Sequence, residues 1–164
     1  MRLAITPRRW RLAASLAAAV LLIGCSGAFT YPNTHARNLR IHTHTDSGSP
    51  FSSVHAALGI YEVDANCRIE YRGSVDLDQD TVDVGIPSNR PSYLVFEFYG
   101  GSFLAGSSRS ITWETLLEPA TGRSYDIEVS YVDDIYDVRI SESRPGSAAV
   151  DRVERRDLRT CASA

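Results

Sequence analysis

The sequence predicts an all-β protein: an antiparallel β-sandwich, immunoglobulin-like or transthyretin-like, of seven or eight strands. Three observations predict it. Apolar residues recur at every second position through most of the chain after residue 38, the period of a strand with one buried face. Clusters of Gly, Pro, Asn, Asp and Ser interrupt that alternation at short intervals, as turns between strands do. No strong amphipathic-helix pattern precedes Ser147, which leaves sheet packed on sheet as the way to bury the apolar faces.

The elements follow in order. Leu39, Ile41 and Thr43 face one way, and Arg40, His42 and His44 the other. Thr45-Asp46-Ser47-Gly48-Ser49-Pro50 reads as a turn,. Val54, Ala56, Leu58 and Ile60 then alternate with His55, Ala57, Gly59 and Tyr61. If that turn closes a hairpin, pairing Leu39 with Leu58 and Ile41 with Ala56 keeps the apolar face in register and sets His42 opposite His55. After a turn at Asp64-Ala65-Asn66, Ile69, Tyr71, Gly73, Val75 and Leu77 alternate with Glu70, Arg72, Ser74 and Asp76. Val82, Val84 and Ile86 make a short strand ending at Pro87. Tyr93 to Tyr99 is nearly all apolar and predicts a central strand buried on both faces, broken by Gly100-Gly101,. Ser110 to Thr115, carrying Trp113, is a further candidate.

The clearest hairpin is late. Tyr125, Ile127, Val129 and Tyr131 precede Asp133-Asp134, and Tyr136, Val138 and Ile140 follow. A two-residue loop pairs Tyr131 with Tyr136, Val129 with Val138 and Ile127 with Ile140, and sets Glu128 opposite Arg139. Ala148 to Arg159 fits either a helix or a last strand that carries Cys161 to the sheet.

Composition narrows function. The chain has 164 residues, enough for one domain,. All 17 basic residues are arginine. Without lysine there is no Walker A loop, no Schiff-base lysine and no Ser-x-x-Lys nucleophile. A net charge of −3 gives no electrostatic case for nucleic acid,. No Gly-x-Ser-x-Gly or His-Glu-x-x-His motif is present, so no catalytic residue is assigned and the chain is expected not to be an enzyme.

Arg2, Arg8, Arg9 and Arg11 precede an apolar run from Leu12 to Ile23 that is short for a bilayer span,. This is the layout of a secretory signal peptide. The run ends in Leu22-Ile23-Gly24-Cys25, which resembles the lipobox of bacterial lipoproteins. The resemblance implies cleavage before Cys25 and acylation of that residue, several chains giving firm anchorage where one would not. Ser26 after the cysteine resembles the signal for outer-membrane delivery. The alternative is an ordinary signal peptide with a chance cysteine. The expected organisation is a signal peptide over 1–24, a tether over 25–36 and a β-sandwich over 37–164. The part from Cys25 onward holds 13 arginines against 20 acids, a charge of −7, so charge would not hold it to anionic lipid.

Cys67 and Cys161 remain as an even pair, and export to an oxidising compartment predicts a disulfide between them. The domain as a whole resembles small β-sandwich lipoproteins of Gram-negative envelopes through Thr45-Asp46-Ser47-Gly48-Ser49, Phe51-Ser52-Ser53-Val54, Ile60-Tyr61-Glu62-Val63-Asp64 and Tyr131-Val132-Asp133-Asp134-Ile135-Tyr136. In shape alone it is similar to the transthyretin-like lipoprotein that docks type VI secretion assemblies to the outer membrane. These resemblances imply a periplasmic domain, anchored in lipid through Cys25, that meets an envelope protein partner without cofactor or nucleic acid.

Three constellations carry possible chemistry. His42, His44 and His55 would share a polar face if the first hairpin forms, and three imidazoles could bind zinc or copper. The opposing reading is three solvated side chains. Asp76, Asp78, Asp80 and Asp83 look like a calcium loop but depart from the EF-hand pattern, with Thr81 where glycine belongs and Pro87 where the bidentate glutamate belongs,. The aromatics Tyr61, Tyr71, Tyr93, Phe96, Phe98, Tyr99, Tyr131 and Tyr136 fall within strands and read chiefly as core. Tyr61 and the Tyr131/Tyr136 pair are the ones that could face outward as a partner surface or sugar platform. The leading expectation is a non-catalytic anchored lipoprotein acting through protein contacts in envelope assembly or maintenance. The alternative is a metal- or small-ligand-binding module.

Overall fold

Two sheets face each other across one apolar layer. The computed structural model describes residues 29–46, 52–102, 107–132 and 135–163. The strands are β1 Leu39–Asp46, β2 Ser52–Val63, β3 Ile69–Asp76, β4 Thr81–Val84, β5 Ser92–Ser102, β6 Ser107–Leu117, β7 Ser124–Val132, β8 Ile135–Ser143 and β9 Val150–Val153, followed by a short 3-10 helix at Leu158–Ser163. One sheet has the order β4-β1-β7-β8-β9 and the other β3-β2-β5-β6. Every pairing is antiparallel except β1 with β7. The expected signal peptide 1–24, Cys25, the Ser47–Pro50 part of the first turn and the Asp133-Asp134 loop lie outside the described residues.

The alternation read from sequence builds this core. Leu39 and Ile41 of β1, Leu58 and Ile60 of β2, Leu94, Phe96 and Phe98 of β5, and Ile127 and Val129 of β7 are all buried between the sheets. Each such side chain contributes about 1.5–3 kcal/mol relative to exposure. The late hairpin forms in the expected register: Tyr131 faces Tyr136, Val129 faces Val138, Ile127 faces Ile140 and Glu128 faces Arg139. The ion pair of Arg139 is made with Asp137 on its own strand, at 2.7 Å.

Of the two sandwich types expected, the immunoglobulin-like one is not formed. There the first two strands share a sheet; here β1 and β2 lie in opposite sheets. The transthyretin-like alternative is the one this strand order fits. The expected hairpin between β1 and β2 is corrected for the same reason. β1 is flanked by β4 and β7, with Leu39 opposite Val84 and Tyr125, and its apolar stripe meets that of β2 across the core. Period-two alternation fixes which face is buried and not which strand lies alongside.

Two further expectations change. β5 is central, between β2 and β6, but it alternates. Leu94, Phe96 and Phe98 point inward, while Tyr93, Val95, Glu97 and Tyr99 lie half-buried or exposed on the outer face. Gly100 and Gly101 do not end it; both pair with β2 and β6. The ambiguous C-terminal stretch resolves into β9 and the 3-10 helix.

The described part of the expected tether, 29–36, packs on the domain. Ser74 of β3 donates to Phe29 O and accepts from Tyr31 N, at 2.8 and 2.9 Å. Tyr31 is buried and its hydroxyl donates to Gly85 O at 2.9 Å. Asn33 accepts from Gly85 N and donates to Asp83 O. Asn38, just before β1, holds Ile86 by both its backbone groups. This N-terminal strap closes the side of the sandwich between edge strands β3 and β4, so residues 29–36 pack against the sandwich. The opposite side is closed by the segment after β9, where Arg156 O accepts from Leu116 N, Arg155 donates to Glu114 O and the Arg155 guanidinium lies 5.5 Å from the Trp113 ring centre.

Candidate functional site

The residue that builds the site is an extra one in β3. Ile60 pairs with Gly73, but the next residue of β2, Tyr61, pairs with Tyr71, so Arg72 is left over as a β-bulge. One extra residue exchanges the two faces of the strand beyond it. Ile69 and Tyr71, which alternation assigned to the core with Val75, therefore turn outward, each 44 % exposed. Gly73 permits the bulge with φ +129, a value that L side chains avoid, and lets the Phe29–Tyr31 backbone pass within van der Waals reach,. Arg72 then folds back onto Glu62 and Glu70, at 2.6 and 3.0 Å.

The outer face of the four-stranded sheet gains a tyrosine wall in consequence. The Tyr61 ring lies 5.1 Å from Tyr71 and 6.2 Å from Tyr93, tilted by 53° and 65°. Tyr99, 45 % exposed, stands farther along β5 and donates its hydroxyl to the Glu97 carboxylate. Between them β2 presents only Ala57 and Gly59, opposite Glu97 and Val95 of β5. Small residues below and tall rings around make a hollow of about 370 Å³, rimmed also by Ser74 and Asp76.

Its electrostatics are acidic. Neither Asp76 nor Glu97 has an ion-pair partner among the described residues, and no arginine lines the hollow. The hydrogen bond to Glu97 pushes the Tyr99 phenol up to about 12, with burial and nearby negative charge adding to it. Burial, then the Glu97 charge, raises Tyr61 as well. The Tyr99 and Tyr61 phenols thus remain protonated donors at neutral pH.

A larger cavity, about 890 Å³, lies at the β2–β3 turn beside Cys161. Its charges are mostly paired among themselves, Arg68 with Asp64 at 2.8 Å and Arg72 with Glu62. The Arg68 backbone N–H, with side-chain and Asn66 help, holds the Asp64 carboxyl below the usual carboxylate range. Such a set is built to shape a turn.

The sequence candidates are placed as follows. Cys67 and Cys161 form the expected disulfide, with Cα atoms 5.9 Å apart. It ties the C-terminal 3-10 helix to the turn after β2. Cys25 lies outside the described residues. The histidine constellation is corrected: His42 is on β1 and His55 on β2, in different sheets, so they do not face each other across a strand pair. His42 Nδ1 is 3.2 Å from Thr81 Oγ1, and His55 Nδ1 is 3.3 Å from Asp78 Oδ1. His44 is exposed farther along β1. Among the described residues no group of three or more His, Cys, Asp or Glu gathers as a metal ion would require. Asp83 is engaged by Arg40 at 3.1 Å. Of the aromatics, Tyr131 is inward and stacked 6.2 Å from Phe98, whereas Tyr136, 5.8 Å from the same ring, is 39 % exposed. Sequence reasoning found Tyr61 but assigned Tyr71 and Tyr99 to the core. The signal it passed over was a glycine inside a strand, a common mark of a bulge.

No protein-family model matches the chain, and no curated protein matches it in sequence.

Proposed function

We propose that this chain is an envelope lipoprotein, acylated at Cys25 and anchored more in the outer than the inner membrane, whose periplasmic β-sandwich acts through contacts and not through catalysis. The observation that carries the contact reading is the tyrosine-walled hollow on the outer face of the β3-β2-β5-β6 sheet. Exposed tyrosines there cost ordered apolar surface that the core does not use, and such side chains are enriched where proteins bind partners. The Leu22-Ile23-Gly24-Cys25 run supports the anchor, and the Cys67–Cys161 disulfide suits an oxidising compartment,.

Envelope assembly or maintenance is the role this reading favours. In-cell crosslinking of the native protein, followed by mass spectrometry, tests it. The expected result is one dominant envelope protein, captured by the wild type and not by a Cys25→Ala control. Equal recovery from both would end the adaptor reading. Metabolic labelling with a fatty acid tests the anchor separately: label on the wild type and none on Cys25→Ala is expected. The alternative, a small-ligand module, is favoured by the concavity of the same hollow; its metal-binding form loses support from the separation of His42 and His55.

A further inference from the structure

We propose that the hollow on the outer sheet face is a binding site for an organic cation, an alkylammonium or guanidinium head held between the rings of Tyr61, Tyr71 and Tyr99 and the carboxylates of Glu97 and Asp76. This rests on the reading of the domain as a binding module and names what its site takes.

Ring geometry separates a cation from a sugar. A sugar stacks on a flat, open aromatic platform. Here the rings of Tyr61 and Tyr71 meet at 53°, so they form adjoining walls around a depression floored by Ala57 and Gly59. Tyrosines lining a hollow at such an angle can set more than one π-face against a head group, as the aromatic cages for quaternary ammonium and methylated lysine groups do. Charge agrees with shape. Two carboxylates open onto the hollow with no cation among its lining residues, and a bound cation would supply the missing partner. Glu97 is already oriented by the Tyr99 hydroxyl, so part of the ordering cost is met before binding. The volume, about 370 Å³, is at the small end for ligand sites and suits one head group,.

The cation has two possible sources, an arginine or lysine side chain of a partner protein or a free quaternary amine. Titration of the purified full-length chain in detergent distinguishes them. The probes are N-acetyl-arginine amide, N-acetyl-lysine amide and tetramethylammonium, with the neutral N-acetyl-citrulline amide as control, read by tyrosine-ring NMR shifts. Saturable binding of at least one cation, with the citrulline control silent, is the expected result. Affinity should fall about tenfold or more in Glu97→Gln and in Tyr71→Leu. Preference for the amino-acid amides assigns a protein partner, and preference for tetramethylammonium assigns a free amine. No saturation by any cation, equal binding of citrulline, or binding that survives both substitutions overturns the proposal. Fatty-acid labelling at Cys25 does not depend on this site, so failure here leaves the anchoring reading standing, and the converse holds.

Discussion

Asn38 shows how much one polar side chain can hold. It is buried, and its amide both donates to Ile86 O at 3.0 Å and accepts from Ile86 N at 2.9 Å. Asn38→Ala leaves both groups of Ile86 without that partner, at a cost of about 1–3 kcal/mol. A urea melt should show a lower midpoint with an unchanged slope. Nothing in the sequence marks this asparagine, because a polar residue before a strand reads as loop. Tyr99 offers a pH test. Its pKa lies above the ordinary tyrosine value because of Glu97, so the folded state holds that proton more tightly than the unfolded one. The stability it contributes is full below pH about 10 and is lost as pH rises toward 12,. Absorbance titration should find a late-ionising tyrosine that moves to lower pH in Glu97→Gln.

Among the elements, β3 carries the sharpest lesson. Its residues alternate without a flaw in the sequence, yet one bulge sends Tyr71 and Ile69 to the opposite face. By contrast the β7–β8 hairpin was legible to the residue, because one register satisfied every apolar pair across it,. At Gly73 a methyl group would stand 2.7 Å from the backbone of Phe29 and Tyr31. Gly73→Ala should therefore destabilise by about 1–3 kcal/mol through overlap, with left-handed strain adding to it. Amide exchange should speed up at Tyr31 and Ser74 before it does in β5. The disulfide was legible once Cys25 was set aside as the expected lipid site, because an exported chain then keeps one even pair,. It joins residues 94 apart, and a loop near that size is worth about 4–5 kcal/mol in the chain-entropy model. The Cys67→Ser/Cys161→Ser double variant should lose about that much unfolding free energy and melt at a lower temperature, and reductant should then change nothing further.

Across the molecule, the sandwich class was legible and its wiring was not. Alternation says that β1 and β2 each have a buried face; it is silent on their belonging to opposite sheets. The hollow was illegible for a related reason, since it depends on residues from β2, β3 and β5 meeting through a bulge. The strap was read as tether because it has no period, though Tyr31 sits in the core. A fragment beginning at Arg37 should thus unfold at a lower temperature than one beginning at Phe29, and calorimetry of the two decides it.

Tension on the chain ahead of Phe29 would reach the domain through that strap. The first bonds loaded are those of Phe29 and Tyr31 to Ser74, then those of Tyr31 and Asn33 to Gly85. β1 lies beyond them, gripped on both sides by β4 and β7. The strap would yield like a fuse, its eight residues reaching at most about 28 Å when drawn out straight, before β1 felt the pull.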